Sequence, residues 1–239
     1  MKEITDDIID ISEKGRAKDG SPLSSDKRLY IQFLAFGNCD DPSNLVRDIQ
    51  DTGIHAVIYA DLNDYKGIGV VTMSEYPDFF VHGLRDFLLN SSFKSLISKP
   101  EFTMFGRTYS FGYENDLEKT LVSGPREKML DADSPWAIWY PLQRTKEFEN
   151  LSDEKKRAIL GEHGKIGFKF GKAGFAKDIR LACHGLDKND NDFVIALLGK
   201  ELYPLSAVIQ TMRGTEQTSK YLEKLGPFFV GKAIWQSKI

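Results

Sequence analysis

One histidine in this sequence has the surroundings of a metal ligand. His163 lies in a Gly-Glu-His-Gly stretch, near the end of a helix that Ser152 is predicted to begin as its N-cap. Gly164 is suited to the left-handed conformation just past a helix end, so the helix is predicted to stop there. His163 would then be the last helical residue, and its side chain would leave the helix and point into a cavity.

Glu216 is the predicted partner of that histidine. The last long helix, predicted over residues 204–222, has a buried stripe of apolar residues, and Glu216 continues it at helical spacing. A carboxylate that faces a core needs a partner, because burying it alone is costly. A metal-bound histidine, which donates its free N–H to a carboxylate or carbonyl, is one such partner. The alternative is that Glu216 pairs with a lysine or reaches solvent beyond Gly214.

The composition narrows the class of protein. Of the 239 residues, 41% are hydrophobic and 28% are charged, which is typical of a globular protein. The net charge of −3 argues against a nucleic-acid surface, and no apolar stretch approaches the ~20 residues of a membrane span. Only Cys39 and Cys183 are present, which predicts a reducing compartment, and the N-terminus lacks the apolar core of a signal peptide. We therefore expect a cytoplasmic protein.

The order of the predicted elements repeats along the chain. An N-terminal arm, residues 1–26, contains a Gly- and Ser-rich loop and precedes a β-α-β-β-α-β unit over residues 27–125. After a charged connection, residues 114–133, the same order recurs over residues 126–239. Each unit is a ferredoxin-like half. The predicted fold class is α+β, with duplicated ferredoxin-like units whose sheets pack face to face or curl into a barrel.

Five short motifs follow one another in the second half. They are Trp139–Leu142, Glu162–Gly164, Gly185–Asp187, Met212-Arg213-x-x-Glu216 and Leu225–Gly231. Taken in this order they resemble the chlorite dismutase family, whose other large branch is the coproheme decarboxylases. The resemblance implies an α+β barrel, a homo-oligomer that is usually a pentamer, and haem b or coproheme bound in the second half. It also implies a small oxidant, peroxide or chlorite.

The same resemblance implies roles for single residues. His163 falls on the iron ligand of the family, and Glu216 falls on the carboxylate that hydrogen-bonds to it. Tyr140 falls on the tyrosine that the decarboxylases oxidise to a radical while peroxide removes two propionate carboxyl groups. Arg144 stands near their propionate-contacting lysine. Tyr140 and Arg144 share parity along a strand and could face one cavity, although Tyr140 is also explained as a core aromatic residue.

The opposite side of the site departs from the family pattern. Counting forward from His163 places Ala176 at the family's distal position, whereas counting back from Gly185 places Asp178 there. Arg180 shares a strand face with Asp178. An arginine would hydrogen-bond an oxyanion, whereas an aspartate would repel anions and fit proton transfer. Arg180 is the favoured residue, and a solvated strand face is the alternative for both.

Three functional hypotheses follow. The first is a haem-dependent oxidoreductase that uses a peroxide-type oxidant. Its rival reactions are coproheme decarboxylation, which Tyr140 favours, and chlorite breakdown to chloride and dioxygen, which an arginine at the distal site favours. The second is a haem-binding or transfer protein without turnover. The third is a haem-free barrel that acts as an oligomeric binding module.

Overall fold

The computed structural model describes residues 9–238, so the first part of the predicted arm, residues 1–8, lies outside the described residues. The rest of the arm is a hairpin of β1 (Glu13–Arg16) and β2 (Pro22–Ser25), where the sequence predicts a loop. The hairpin is tied to the barrel because the Glu13 carboxylate accepts a hydrogen bond from Nη1 of Arg107 at 2.7 Å.

The first ferredoxin-like unit has the predicted order of elements. Its second helical segment is interrupted at His82, whose backbone angles are φ −117° and ψ −82°. The elements are β3 (Tyr30–Gly37), α1 (Ser43–Gln50), β4 (Ala56–Asp61), β5 (Ile68–Ser74), α2 (Asp78–Val81), α3 (Gly83–Asn90), the short β6 (Ile97–Ser98) and β7 (Met104–Arg107).

The connection between the two units contains a helix that the sequence pattern did not predict. A π-helical turn, Lys119–Ser123, leads directly into α4, Gly124–Met129. Leu121 is fully buried, and its carbonyl accepts a hydrogen bond of 2.7 Å from the buried hydroxyl of Thr108. The sequence pattern misses this helix because its few buried apolar residues stand among many charged ones.

The second unit repeats the order with longer helices. Its elements are β8 (Trp136–Arg144), α5 (Lys146–Glu149), α6 (Asp153–Lys172), β9 (Lys177–Ala182), β10 (Phe193–Gly199), α7 (Leu202–Arg213), α8 (Glu216–Lys220), β11 (Leu222–Leu225) and β12 (Phe229–Gln236).

The strand order confirms the duplicated ferredoxin-like fold. The first unit has the order β7-β3-β5-β4 and the second has β12-β8-β10-β9, which is the same arrangement of fourth, first, third and second strand. β4 pairs with β12, and β7 meets β9 where Arg107 lies opposite Ala182, so the eight strands close on themselves. The two sheets therefore form one α+β barrel, with helices on its outside.

Inward-facing residues of all these strands fill the barrel. Phe33 lies 4.7 Å from Phe229 and 5.6 Å from Trp139, measured between ring centroids, and all three are almost fully buried. Full burial of one such phenylalanine contributes about 1.5–3 kcal/mol. Since this interior is packed with aromatic and aliphatic side chains, any ligand site must lie outside it. Within residues 9–238, no helix combines the length and the apolarity that a membrane crossing needs.

Two predicted helix ends are wrong. α6 does not stop at Gly164 but continues to Lys172, because Phe170 packs against the outer face of the second sheet. The left-handed glycine that ends this helix is Gly174, at φ +74°. The predicted helix over residues 204–222 is broken at Gly214, after which Thr215 begins α8 as an N-cap.

Candidate functional site

The outer face of the second sheet carries the polar residues that the sequence singled out. Tyr140 in β8 lies opposite Ile195 in β10, which lies opposite Arg180 in β9. Residues that pair directly across strands share a face, and every second residue of a strand does too. Arg144 and Asp178 therefore lie on this face with Tyr140 and Arg180. Helices α6 and α7 cover it.

His163 lies in the middle of α6, not at its end, and its imidazole is half-buried. Burial lowers the pKa of this imidazole below its ordinary value of 6.5, and the nearby guanidinium groups of Arg180 and Arg144 lower it further. Both effects disfavour a positive charge on the ring. The imidazole is therefore neutral at neutral pH, which is the form that binds a metal.

The hydrogen bonds around Thr215 fix which imidazole nitrogen is free. The buried Thr215 hydroxyl donates its one proton to the carbonyl oxygen of Met212, 2.8 Å away. Its oxygen lies 3.4 Å from Nδ1 of His163, and it can only accept a hydrogen bond there. We therefore assign the ring proton of His163 to Nδ1, which leaves Nε2 with its lone pair.

Glu216 is not the partner of His163, which corrects the sequence prediction. The break at Gly214 starts a new helix, and the residue brought to Nδ1 is Thr215. The Glu216 carboxylate instead lies 3.5 Å from the Nζ atom of Lys220, which is the lysine alternative. The backbone N–H of Glu216 donates to the Glu162 carboxylate at 3.0 Å, which ties α8 to α6.

Arg144 is held between two aromatic rings. Its Cζ atom lies 4.6 Å from the ring centroids of both Phe148 and Phe193. Burial lowers the pKa of its guanidinium. Its Nε atom is buried and has no hydrogen-bond partner among residues 9–238. A buried donor without an acceptor costs free energy, so a ligand that offered an anionic or polar acceptor to the Nε atom of Arg144 would be bound favourably.

Tyr140 is almost fully buried on the same face. Its ring stacks on Phe228, with the centroids 4.8 Å apart. Burial raises the pKa of its hydroxyl, and the carboxylate of Asp178 raises it further. The phenol therefore keeps its proton at neutral pH.

Asp178 and Arg180 form an ion pair, with the Asp178 Oδ2 atom 3.0 Å from the Arg180 Nε atom. Both side chains are half-exposed, 47% for each. Ala176, the other residue that the sequence placed at this position, packs with the apolar residues of the outer face. Only the ion pair could contact a charged ligand there.

Three residues of this region precede β8 in the chain, and no sequence motif indicated them. The Tyr109 ring lies 5.7 Å from Phe193, and Phe111 lies 4.8 Å from the Cζ atom of Arg180. Lys128, in α4, donates to the backbone carbonyl of Asp178 at 2.8 Å. They reach the site because β7 meets β9, a contact between strands far apart in the chain.

Comparison with known proteins identifies the fold family. The sequence profile of the family described as chlorite dismutase matches residues 38–234. The chain belongs to the chlorite dismutase family. A coproheme decarboxylase from Mycolicibacterium smegmatis is 24% identical over 222 residues, which cover 86% of this chain and 90% of the relative.

Two solved structures show the same fold. A haem-binding protein from Thermus thermophilus has a TM-score of 0.67 at 17% identity, covering 87% of this chain and 91% of its own. A mutant of the chlorite dismutase from Candidatus Nitrospira defluvii also has a TM-score of 0.67, at 16% identity, with 87% and 92% covered. These similarities concern the fold.

The side chains on this face fit a haem. The set comprises one neutral imidazole with a free Nε2, a buried guanidinium nitrogen without an acceptor, and a protonated phenol. An imidazole is a common axial ligand of haem iron, and arginines match carboxylates such as the propionates of a porphyrin. His163 is the residue that would hold the iron, and Arg144 and Arg180 would hold carboxylates.

The solvent side of α6 also has an open groove, but it is not this site. Gly164, Phe168 and Lys172 line it at a spacing of about one helical turn. That spacing puts the groove on the side of α6 away from His163. Its only charged residues are lysines, so it has no group that would bind iron.

Proposed function

We propose that this protein binds a haem through His163 and uses it to oxidise a substrate with a peroxide-type oxidant. The observation that carries the proposal is the contact of His163 with Thr215: Oγ1 of Thr215 lies 3.4 Å from Nδ1, so Nε2 is the nitrogen left to bind iron. The relatives described as a coproheme decarboxylase and a haem-binding protein support haem as the ligand.

Coproheme is the form of haem that the proposal favours. It carries more carboxylates than haem b, and Arg144 and Arg180 are two guanidinium groups on the face that Tyr140 shares. The buried Nε atom of Arg144 would gain the acceptor that it lacks. Arginine binds carboxylates through parallel hydrogen bonds, so the two arginines would also fix the orientation of the porphyrin.

Tyr140 is the proposed catalytic residue. Bound haem supplies an iron that activates peroxide for a one-electron oxidation. The raised pKa of Tyr140 keeps its O–H intact, so a hydrogen atom is available at the phenol oxygen. Stacking on Phe228 holds the ring, and α7 covers the face and limits access of water.

Chlorite breakdown to chloride and dioxygen is the second candidate reaction. Arg180 supports it, because its guanidinium is near enough to His163 to lower the pKa of that imidazole. The Asp178 carboxylate beside Arg180 argues against it, since it repels a small anion. On the family resemblance alone we further propose a cytoplasmic homopentamer.

The reaction is tested by incubating the protein with coproheme and hydrogen peroxide and following the porphyrin by mass spectrometry. The proposal predicts stepwise loss of two carboxyl groups. Tyr140→Phe should still bind coproheme but should give no product above the peroxide-only control. Tyr59→Phe, which changes a buried tyrosine of the first unit, should remain active.

Other outcomes select the other hypotheses. Unchanged coproheme together with chloride and dioxygen formed from chlorite would favour the second reaction. Tight haem binding without either reaction would leave a haem-binding or transfer protein. Absence of binding at stoichiometric haem would leave a haem-free binding module.

A further inference from the structure

Asp178 lies between two cations. Its Oδ2 atom is 3.0 Å from Nε of Arg180, and its Oδ1 atom is 3.9 Å from Nζ of Lys128. Lys128 is also held in place, because it donates to the backbone carbonyl of Asp178 at 2.8 Å. One carboxylate is thus shared by an arginine of the second unit and a lysine of the connecting helix α4.

Phe111 keeps the guanidinium of Arg180 near this carboxylate. The ring covers Arg180 at 4.8 Å from its Cζ atom, although 44% of Phe111 is exposed. Its backbone is fixed because the Glu114 carboxylate accepts the N–H groups of Phe111, Gly112 and Tyr113 at 3.0–3.1 Å. The Tyr113 ring stacks on Phe111 at 5.7 Å. These contacts therefore fix Phe111, and Phe111 in turn holds the Arg180 guanidinium beside Asp178.

The carboxylate changes what Arg180 can bind. An external anion that contacts Arg180 gains the attraction of the guanidinium but meets the repulsion of Asp178 a few ångströms away. A small anion that contacts Arg180 alone therefore gains little binding free energy, because the repulsion by Asp178 offsets most of the attraction by the guanidinium. A ligand with several carboxylates can contact Arg144 as well. The carboxylates of Glu149 and Asp192 are near enough to raise the pKa of Arg144, but the Nε atom of Arg144 has no hydrogen-bond partner among residues 9–238.

We propose that Asp178 is an internal counter-anion that masks Arg180 against small free anions, and that Lys128 sets the strength of the mask by sharing the carboxylate. The ligand class that this selects is a molecule with two or more carboxylates, held by Arg144 and Arg180 together. This deepens the proposed function and rests on it for the identity of the ligand. Asp178 acts here as a specificity-determining anion and not as a proton donor.

The test measures anion affinity in two forms of the protein. In the hemin-loaded form, azide and nitrite are titrated and the shift of the Soret band gives the dissociation constant. Asp178→Asn should bind both anions about tenfold more tightly than the original protein, which corresponds to the removal of about 1.4 kcal/mol of repulsion. Lys128→Met should bind them severalfold more weakly, because Asp178 is then left to Arg180 alone.

The matched control is Asp131→Asn. Asp131 also pairs with a lysine of β9, Lys177, but forms no ion pair with Arg180. It should leave the anion affinity unchanged. The double variant with Asp178→Asn and Arg180→Gln should lose the gain, which would assign the gain to Arg180.

The haem-free form separates this proposal from the proposed function. In the apo protein, nitrite should raise the melting temperature of Asp178→Asn more than that of the original protein, because ligand binding stabilises the folded state. This measurement on the apo protein tests the role of Asp178 even if the protein binds no hemin. Unchanged or weaker anion binding by Asp178→Asn in both forms would overturn the mask. An unchanged affinity in Lys128→Met would overturn the part assigned to Lys128.

Discussion

The two units of the barrel share one strand order but cover their outer faces differently. In the first unit, the outward residues of the second strand include Ala56 and Ile58, and both are fully buried. The equivalent strand of the second unit places Asp178 and Arg180 there, half-exposed. The common backbone frame therefore does not determine whether a unit has a site. The side chains of one strand and the helices that cover them do.

The helices that cover the outer faces of the two units also differ, in length and in the residues that they face. α1, over the first unit, has 8 residues, and its buried Leu45 and Ile49 pack against an apolar sheet face. α6, over the second unit, has 20 residues and carries His163 toward a face with charged residues. Charged groups are tolerated only where water or a ligand can solvate them. We therefore interpret the first unit as a structural support and the second as the functional one.

The largest expected effect comes from exchanging the outward residues of the two faces. Ile58→Arg should destabilise the protein by about 3 kcal/mol or more, because it buries an unpaired charge under α1. Arg180→Ile should change the stability by about 1 kcal/mol or less, because Arg180 is half-exposed. Urea unfolding followed by circular dichroism measures both. Equal losses of unfolding free energy in the two variants would mean that the two faces are equally buried, which would contradict this comparison.

The next effect compares one N-cap residue from each unit, Thr215 and Ser91. Thr215→Val removes the acceptor of His163 Nδ1, and loss of such a partner typically weakens metal binding about 10–100-fold. Hemin affinity, measured from the Soret band, should fall by about tenfold, and Thr215→Ser should restore it. Ser91, which caps a short helix of the first unit, is the matched control. Ser91→Ala should cost about 1 kcal/mol of stability and leave hemin affinity unchanged.

Sequence patterns were sufficient to predict the order of strands and helices in both units. Strands such as β3 and β10 are rich in β-branched and aromatic residues, and their order identified the ferredoxin-like units. The strand parity of Tyr140 with Arg144, and of Asp178 with Arg180, also followed from the sequence, because side chains alternate in any strand.

The errors have one physical cause, which is that tertiary contacts override local signals. Gly164 has the local signature of a helix end, but packing of Phe170 extends the helix beyond it. Thr215 and Glu216 are adjacent, and only the helix break decides which of them meets His163. Phe111 and Lys128 reach Arg180 and Asp178 across the junction of the two units, and no pattern within one segment encodes that contact.

The smallest effect is the contribution of His55, in the first unit, to the pH dependence of stability. Burial lowers the pKa of His55 below 6.5, and the Arg126 cation lowers it further. The unfolded chain therefore takes up a proton at a higher pH than the folded one. Stability should be fully present above pH 6.5 and should fall as the pH drops toward the lowered pKa.

His55→Gln should flatten this slope in urea unfolding at pH 5 and pH 7.5, and hemin should not alter the contribution of His55. A slope that His55→Gln leaves intact would assign the pH dependence to other groups.

The most direct test of the central claim is a hemin titration that compares one histidine from each unit. The account predicts that His163→Ala lowers hemin affinity by more than about 100-fold and displaces or abolishes the Soret band, since the iron ligand is lost. His55→Ala should bind hemin like the original protein. Retention of the original spectrum and affinity by His163→Ala, or an equal loss in His55→Ala, would contradict the assignment of the site to the second unit.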